Sequence, residues 1–278
     1  DQDGTARSVA TTTLDTDSRQ SSLEAYLQGT AGRVDWLAGA TWLRFRQSRS
    51  TRVDGLLPGA FLDPSLPLTF PIPYAFDGGG TVTTEALAGY ADGKWTVADR
   101  VAIRLGGRYS HDLKRAREFL TFLAPTINGT QRRGWGEWSG KAGIDFIPAA
   151  GQLFYASVAR GFKSGALNVG AFTPPVDPEI NVTVEAGTRL SGRGWTFNLT
   201  GYTSDYSGLQ IVQVGPLSQI LANAASARIN GVEVEASVKP LSRLTLSLSG
   251  SWMDAGFGQF FSTDQRRGFQ RFDVSGNR

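Results

Sequence analysis

Cysteine is absent from this 278-residue chain, and histidine and methionine occur once each. No disulfide scaffold, thiol chemistry or cysteine-ligated zinc can be built from it, and one histidine leaves little for transition-metal ligation. No apolar run approaches 18 residues, which excludes a membrane-crossing helix. A strong charge of one sign is missing too. The net charge of +3 is too small to argue for a polyanionic partner, so no nucleic acid is expected. The first residues, DQDGTARSVATTTLDTD, are polar and lack a signal-peptide apolar core; residues 1–17 are expected to be irregular.

What the chain has is glycine (34 residues), aromatic side chains (11%, including 7 Trp) and a persistent period of two. Between Gln152 and Tyr206, Val182, Val184, Ala186 and Leu190 fall on one face, against Thr183, Glu185, Gly187 and Arg189 on the other. After a turn at 191–194, Trp195, Phe197 and Leu199 repeat the pattern against Thr196, Asn198 and Thr200. Such alternation marks strands that separate two media. Similar segments run over about Gln20–Gly29, Trp36–Arg49, Thr81–Ala91, from Val101, Trp135–Ile147, Gln152–Lys163, 229–239 and from Leu244.

The connections between these ten segments alternate short and long. The long ones are Ser50–Gly80 (with Pro58, Pro64, Pro67, Pro71 and Pro73), Lys114–Arg133, the SGALNVGAFTPPVDPEIN stretch, GLQIVQVGPLSQILANAASAR and the final twenty-odd residues. Short turns on one rim and long excursions on the other are the pattern of a barrel whose strands cross a membrane. Ten residues at roughly 3.3 Å each, tilted about 45°, cover roughly 23 Å, close to the ~25 Å apolar band of such barrels. Trp36, Trp95 and Trp195 fall near short-turn ends and Trp135, Trp138 and Trp252 near long-loop ends, as two interfacial belts would require; Trp42 falls further inside. A cation facing lipid costs about 2–4 kcal/mol at the midplane and about 0–1 near the interface. Arg104, Arg108, Glu185, Arg189, Glu233 and Glu235 all take the polar parity and are expected to face the lumen. Arg44, Arg46 and Arg160 share parity with apolar neighbours, towards the long-loop ends where the penalty is small.

Several segments resemble TonB-dependent outer-membrane receptors. RLGGRYSHDLK is similar to their Gly-x-Arg-Tyr strand end, and FYASVARGFKSGALN to their Tyr-x-Ser…Gly-Phe-Lys-Ser-Gly segment. VEAGTRL with WTFNLTGYTSDYSGLQIV resembles their Glu-x-Gly strand and Tyr…Gln exit, and NAASARINGVEVEASV their Asn-Ala…Gly-x-Glu-x-Glu strand. The resemblance spans about residues 81–255. It implies a Gram-negative outer-membrane barrel of 22 strands around a plug, importing ferric siderophores or other scarce nutrients with energy from the TonB complex. The chain is then expected to be an all-β, antiparallel transmembrane segment of about ten long strands, incompletely closed, over residues 1–278. Plug domain and C-terminal strands would lie outside it.

No catalytic constellation is expected, nor a cofactor or metal site. His111 sits at a strand exit, and Glu233 and Glu235, two apart on one face, suit solvated lumen residues better than a glycosidase pair. The glycines of GGG and GKA lack phosphate-loop spacing. On the long-loop side, Lys114, Arg115, Arg117, Arg132 and Arg133 with Phe119 and Phe122 could hold an anionic metal chelate. The bland reading is a loop facing solvent or the phosphates of lipopolysaccharide. Phe61, Tyr74 and Phe76 carry the same ambiguity. The expected partners are outer-membrane lipid and lipopolysaccharide, a metal chelate or other small nutrient, and the TonB complex acting through the plug. A soluble glycine-rich β-protein serving as a binding or adhesion module is the alternative, in which the apolar faces would turn onto one another.

Overall fold

The computed structural model describes residues 10–58, 71–122, 125–214, 219–223, 226–258, 260–264, 270–273 and 275–277. Ten long strands form one antiparallel sheet: β1 (Ala10–Ala31), β2 (Val34–Pro58), β3 (Pro71–Ala98), β4 (Val101–Phe122), β5 (Ile127–Phe146), β6 (Gln152–Lys163), β7 (Glu179–Gly192), β8 (Trp195–Ser207), β11 (Ser226–Leu241) and β12 (Leu244–Phe257). Each pairs with its neighbour in that order, and the sheet stays open, with β1 and β12 at its edges. The small hairpins β9 (Gln210–Val214) with β10 (Gln219–Asn223), and β13 (Phe261–Asp264) with β14 (Gln270–Asp273), stand apart from it.

The apolar parity is open rather than packed. Leu23, Leu27, Leu105, Trp138 and Leu248 expose more than half their surface. Among the described residues no large side chain is fully buried, and the one apolar cluster is Phe260 with Leu209, Ile211 and Phe272, off the main sheet. A soluble sandwich or propeller would hide those leucines, since its core consists of such faces. An open row of Leu, Val and Trp along period-two strands is what hydrocarbon requires.

Register gives the tilt. Following ladder partners outward from Val34, the first residue of β2, the row passes Trp95, Ile103, Ile144, Ala156, Ala186, Gly201 and Val232 to Trp252. Trp252 lies eight residues past Leu244, the start of β12. The row therefore climbs eight residues in eight strand steps. At roughly 3.3 Å per residue against roughly 4.8 Å per strand, that is a tilt of about 35°, within the range for membrane barrels.

Strands run further than the alternation predicts. Residues 10–17, expected to be irregular, belong to β1, and β2 and β3 continue to the facing pair Pro58 and Pro71. Lys114–Phe122 and Ile127–Arg133 are likewise strand, so the connection between β4 and β5 narrows to residues 123–126 and the expected long loop is mostly a two-stranded ribbon. The segment 92–98, expected as a connection, completes β3. For the extensions above the belt the physical reason is common. Beyond the apolar band both faces meet water, so a strand there has no cause to alternate. Among the described residues, long excursions without main-sheet strand remain within 164–178 and between β8 and β11.

Tryptophan heights sort themselves on this frame. Trp42 and Tyr109 stand eight residues from the short-turn ends Val34 and Val101, as Trp138 does from Phe146 and Trp252 from Leu244. All four share the apolar parity and are exposed. Trp42 thus belongs to the upper belt and not further inside. Trp135 does not. It takes the opposite parity and is 7% exposed. At about 2.7 Å of height per tilted residue, the upper belt stands about 22 Å above the short turns.

Candidate functional site

Parity divides the basic cluster into two sites. Arg115, Arg117 and Phe119 on β4 and Arg132 on β5 continue the apolar parity and point outward, beyond the belt. Lys114, Glu118 and Phe122 on β4, with Gln131, Arg133 and Trp135 on β5, point to the polar side. Phe76 faces Phe122 across the β3–β4 ladder on that polar side. Tyr74 pairs with Gly55 along the backbone, and Phe61 lies outside the described residues. The two groups are separated by the thickness of a sheet, so no single ligand touches both.

On the polar side the segment 164–178 folds back over β3, β4 and β5. Lys114 Nζ donates to the Gly165 carbonyl at 2.6 Å and lies 5.8 Å from the Trp135 ring centroid. Gly170 N–H donates to Glu118 Oε2 at 2.8 Å, and Gln131 Nε2 donates to Glu118 Oε1 at 2.7 Å. Glu118 is 4% exposed, yet both carboxylate oxygens accept hydrogen bonds, which is how a buried carboxylate is tolerated. Phe172 is the described non-glycine residue with positive φ (52°), a conformation that costs free energy and here brings its ring over Gly129.

A clamp holds the base of this segment. Gln210 Nε2 donates to the Ser164 and Asp177 carbonyls at 3.0 and 2.9 Å, while its own N–H donates to Glu179 Oε2. Asn223 Nδ2 donates to the Asp177 and Gly208 carbonyls, and Asn168 exchanges two 2.8 Å bonds with Leu221. The Gly-Phe-Lys-Ser-Gly segment and the Gln exit, separate stretches in sequence, meet at this one clamp. Sequence reasoning missed Lys163, Trp135, Gln131 and Asn223; amide and tryptophan side chains at strand exits were the available signal.

Three cations surround the folded segment. Lys163 is exposed on the polar side of β6, Arg133 reaches to 4.0 Å from Asp177, and Lys114 lies half-buried between the walls. Burial holds the Lys114 ammonium below the ordinary lysine pKa, and Lys163 pushes the same way against the pull of Asp112. Five of the seven buried polar side-chain atoms without a partner among the described residues belong to this region: Trp135 Nε1, Gln131 Oε1, Ser164 Oγ, Thr173 Oγ1 and Gln210 Oε1.

Lower on the polar side two ion pairs stand among charges with neutral partners. Arg104 donates to Asp145 at 2.7 Å, and Lys141 lies 2.7 Å from Asp92. Arg108 donates to Thr41 and Ser110 beneath the Tyr90 ring, and Arg189 lies over Tyr155. Glu235 accepts from Asn198 at 3.2 Å; Glu185 and Glu233 face Tyr202 and Thr200 across their ladders. Arg160 leaves the apolar parity where the β5–β6 ladder stops at Gly140. It folds onto the Trp138 carbonyl and onto Glu137 at 2.9 Å. His111 stands exposed on the outward side at the belt's upper margin, and among the described residues no three His, Asp or Glu side chains converge as metal ligands.

The profile of the family described as "TonB dependent receptor-like, beta-barrel" matches residues 1–277. The pesticin receptor of Yersinia enterocolitica is 26% identical over 219 residues, which cover 77% of this chain and 30% of that protein. Among solved structures, the ferric yersiniabactin uptake receptor FyuA from Yersinia pestis superposes with a TM-score of 0.76 at 21% identity, covering 90% of this chain and 37% of that one. The siderophore receptor PiuA from Acinetobacter baumannii gives 0.69 at 17% identity, covering 96% and 42%. The chain thus spans under a third of the curated relatives it matches.

Proposed function

The chain belongs to the TonB-dependent receptor-like β-barrel family, and on that premise we propose that residues 1–278 form one sector of the wall of an outer-membrane importer. The cargo is a ferric siderophore or a similarly scarce, chelated nutrient. The protein is a transporter and carries out no covalent chemistry on its cargo. It sits in the outer membrane of a Gram-negative bacterium, with the short turns towards the periplasm. Energy comes from the TonB complex acting through a plug domain. Arg104, Arg108, Glu185, Arg189, Glu233 and Glu235 line the lumen around that plug.

The single observation behind the cargo class is the cationic and aromatic cluster on the polar side above the belt: Arg133, Lys163 and Lys114 around Trp135, beneath the segment 164–178. Anionic chelates are held by such cations and aromatic faces. Of the residues that sequence suggested for ligand contact, Arg133, Phe76 and Phe122 take the lumen side and suit this role. Arg115, Arg117, Phe119 and Arg132 point away from the lumen and do not.

The test uses the complete receptor gene in an iron-starved Gram-negative strain lacking other ferric-chelate receptors. Growth on a panel of ferric siderophores identifies the cargo. Arg133→Gln with Lys163→Gln is expected to lower uptake by about tenfold at unchanged receptor abundance, the size of a lost charged hydrogen bond. Uptake equal to the parent would remove this cluster from the cargo path.

A further inference from the structure

Both faces of the wall are open, yet a packed interior exists on the long-loop side. Trp135, Val176 and Phe260 are the buried apolar side chains larger than alanine among the described residues. Trp135 and Val176 flank Gly165 in the folded segment 164–178. Phe260 brings Phe272 against Leu209 and Ile211, so the residues after β12 pack on those after β8. The Gly258 N–H also donates to the Ser226 carbonyl at 2.8 Å, tying the same two connections at their base.

Side-chain amides join the folded segment to the β9–β10 hairpin. The segment is a loop closed at its neck, where Ala166 and Val176 exchange backbone hydrogen bonds at 3.0 and 2.8 Å. Gln210, from the excursion after β8, spans that neck: its one amide NH2 donates to the Ser164 carbonyl on one side and the Asp177 carbonyl on the other. Asn223, at the far end of the hairpin, accepts from the Asp177 N–H at 2.9 Å while donating to the Asp177 carbonyl. Asn168 returns the contact from the segment, bonding both backbone groups of Leu221 on β10. An amide carries donors and an acceptor in one plane, so Asn168 and Asn223 each stand in for a peptide group of a neighbouring strand. Moving one excursion without the other breaks all of these bonds. Moving them together breaks none, and need release only the contacts of Lys114, Glu118 and Gln131 with Gly165, Gly170 and Thr173, the last at 3.4 Å.

We propose that the folded segment 164–178 and the β9–β10 hairpin, with the β13–β14 hairpin packed on them, form one cooperative body stitched by Gln210, Asn223 and Asn168. These excursions settle or lift over the lumen together and not one at a time.

Hydrogen exchange of the complete receptor in detergent, without cargo, tests this. Gln210→Leu removes both neck bonds from the hairpin side. Exchange at the Ala166 and Val176 amides of the folded segment is then expected to rise about tenfold or more, since each neutral hydrogen bond contributes about twofold to about tenfold. Asn168→Leu removes its two bonds from the segment side, and the β9–β10 amides other than Leu221 are expected to rise by a similar factor. Val212→Ala, on the exposed face of β9, should leave the segment unchanged. Coupling between two sites is reciprocal. Effects confined to the excursion that carries the substitution, transmission in one direction only, or no change in either overturns the proposal. Heat-modifiable gel mobility verifies folding; if Gln210→Leu fails it, Asn223→Ala takes its place with the same reading. A second arm asks whether the body moves whole. With Asn168→Cys and Leu221→Cys joined by a short thiol cross-linker, uptake of the ferric siderophore on which the parent grows should match that of the unlinked double variant. Loss of uptake on linking means that the excursions part during transport, and overturns the idea. This arm rests on the importer reading and the exchange arm does not, which keeps the two failures apart.

Discussion

A β-carbon added to Gly165 would sit 2.2 Å from Trp135 Cε2. The backbone of the folded segment rests directly on an indole, and only a hydrogen fits between them. Gly165→Val should displace the segment and cost about 1–3 kcal/mol, the usual scale of overpacking. Faster proteolytic nicking within 164–178 and a red-shifted tryptophan emission would report it; unchanged cleavage would show that the contact is loose. Lys114 gives a second prediction at this scale. Its folded pKa lies below the ordinary value of 10.5, so between those two values the unfolded chain binds the more protons. Stability therefore rises with pH through that window, and the burial penalty is fully present below it. Relative to Lys114→Met, which cannot titrate, the parent should gain stability on going from pH 8 to pH 10.5, as measured by urea unfolding at each pH. A constant difference would place Lys114 in water.

Elements end where a ladder partner is lost, and β5–β6 shows how the wall deals with that. Where pairing stops at Gly140, Arg160 turns aside to satisfy the Trp138 carbonyl and Glu137. Arg160→Ala leaves a half-buried carboxylate alone and is expected to cost about 1–3 kcal/mol, most of it recovered by adding Glu137→Gln; additive losses in that double-mutant cycle would mean the pair is not coupled. The apolar face allows a harsher comparison. Leu105→Arg, facing hydrocarbon midway between the short-turn end of β4 and the upper belt, should cost about 2–4 kcal/mol in refolding titrations, whereas Ser249→Arg on the polar face of β12, opposite Glu235, should stay within about 0.5 kcal/mol. Between the belts these strands were legible from alternation, because lipid on one side and water on the other impose it. Above the belts nothing imposes it, and the extensions of β1–β5 went unseen for that reason. The site was legible to the same degree. Composition exposed the cluster at Lys114–Arg133, but its division into two faces follows from register across a ribbon that the sequence disguises as a loop. Trp135 and Trp138 make the point: three residues apart, one seals the folded segment and the other meets lipid.

On the scale of the whole molecule, among the described residues neither outer edge of the sheet has a strand paired to it: β1 is 22 residues long and β12 is 14, with Phe257 at the end of β12 bonding outward to Gly276 and Asn277. Each unpaired backbone group in hydrocarbon costs several kcal/mol, so the chain refolded by itself into lipid should associate edge to edge; a stable monomer by crosslinking would count against this sheet order. The four aromatics that stand eight residues above the turns on β2, β4, β5 and β12 carry one more consequence. They give the wall a built-in gauge of about 22 Å, shorter than the ~30 Å hydrocarbon of an average bilayer. A membrane of ordinary thickness has to pinch around this protein or bury its polar rim, so the lipid it sits most easily in is thin.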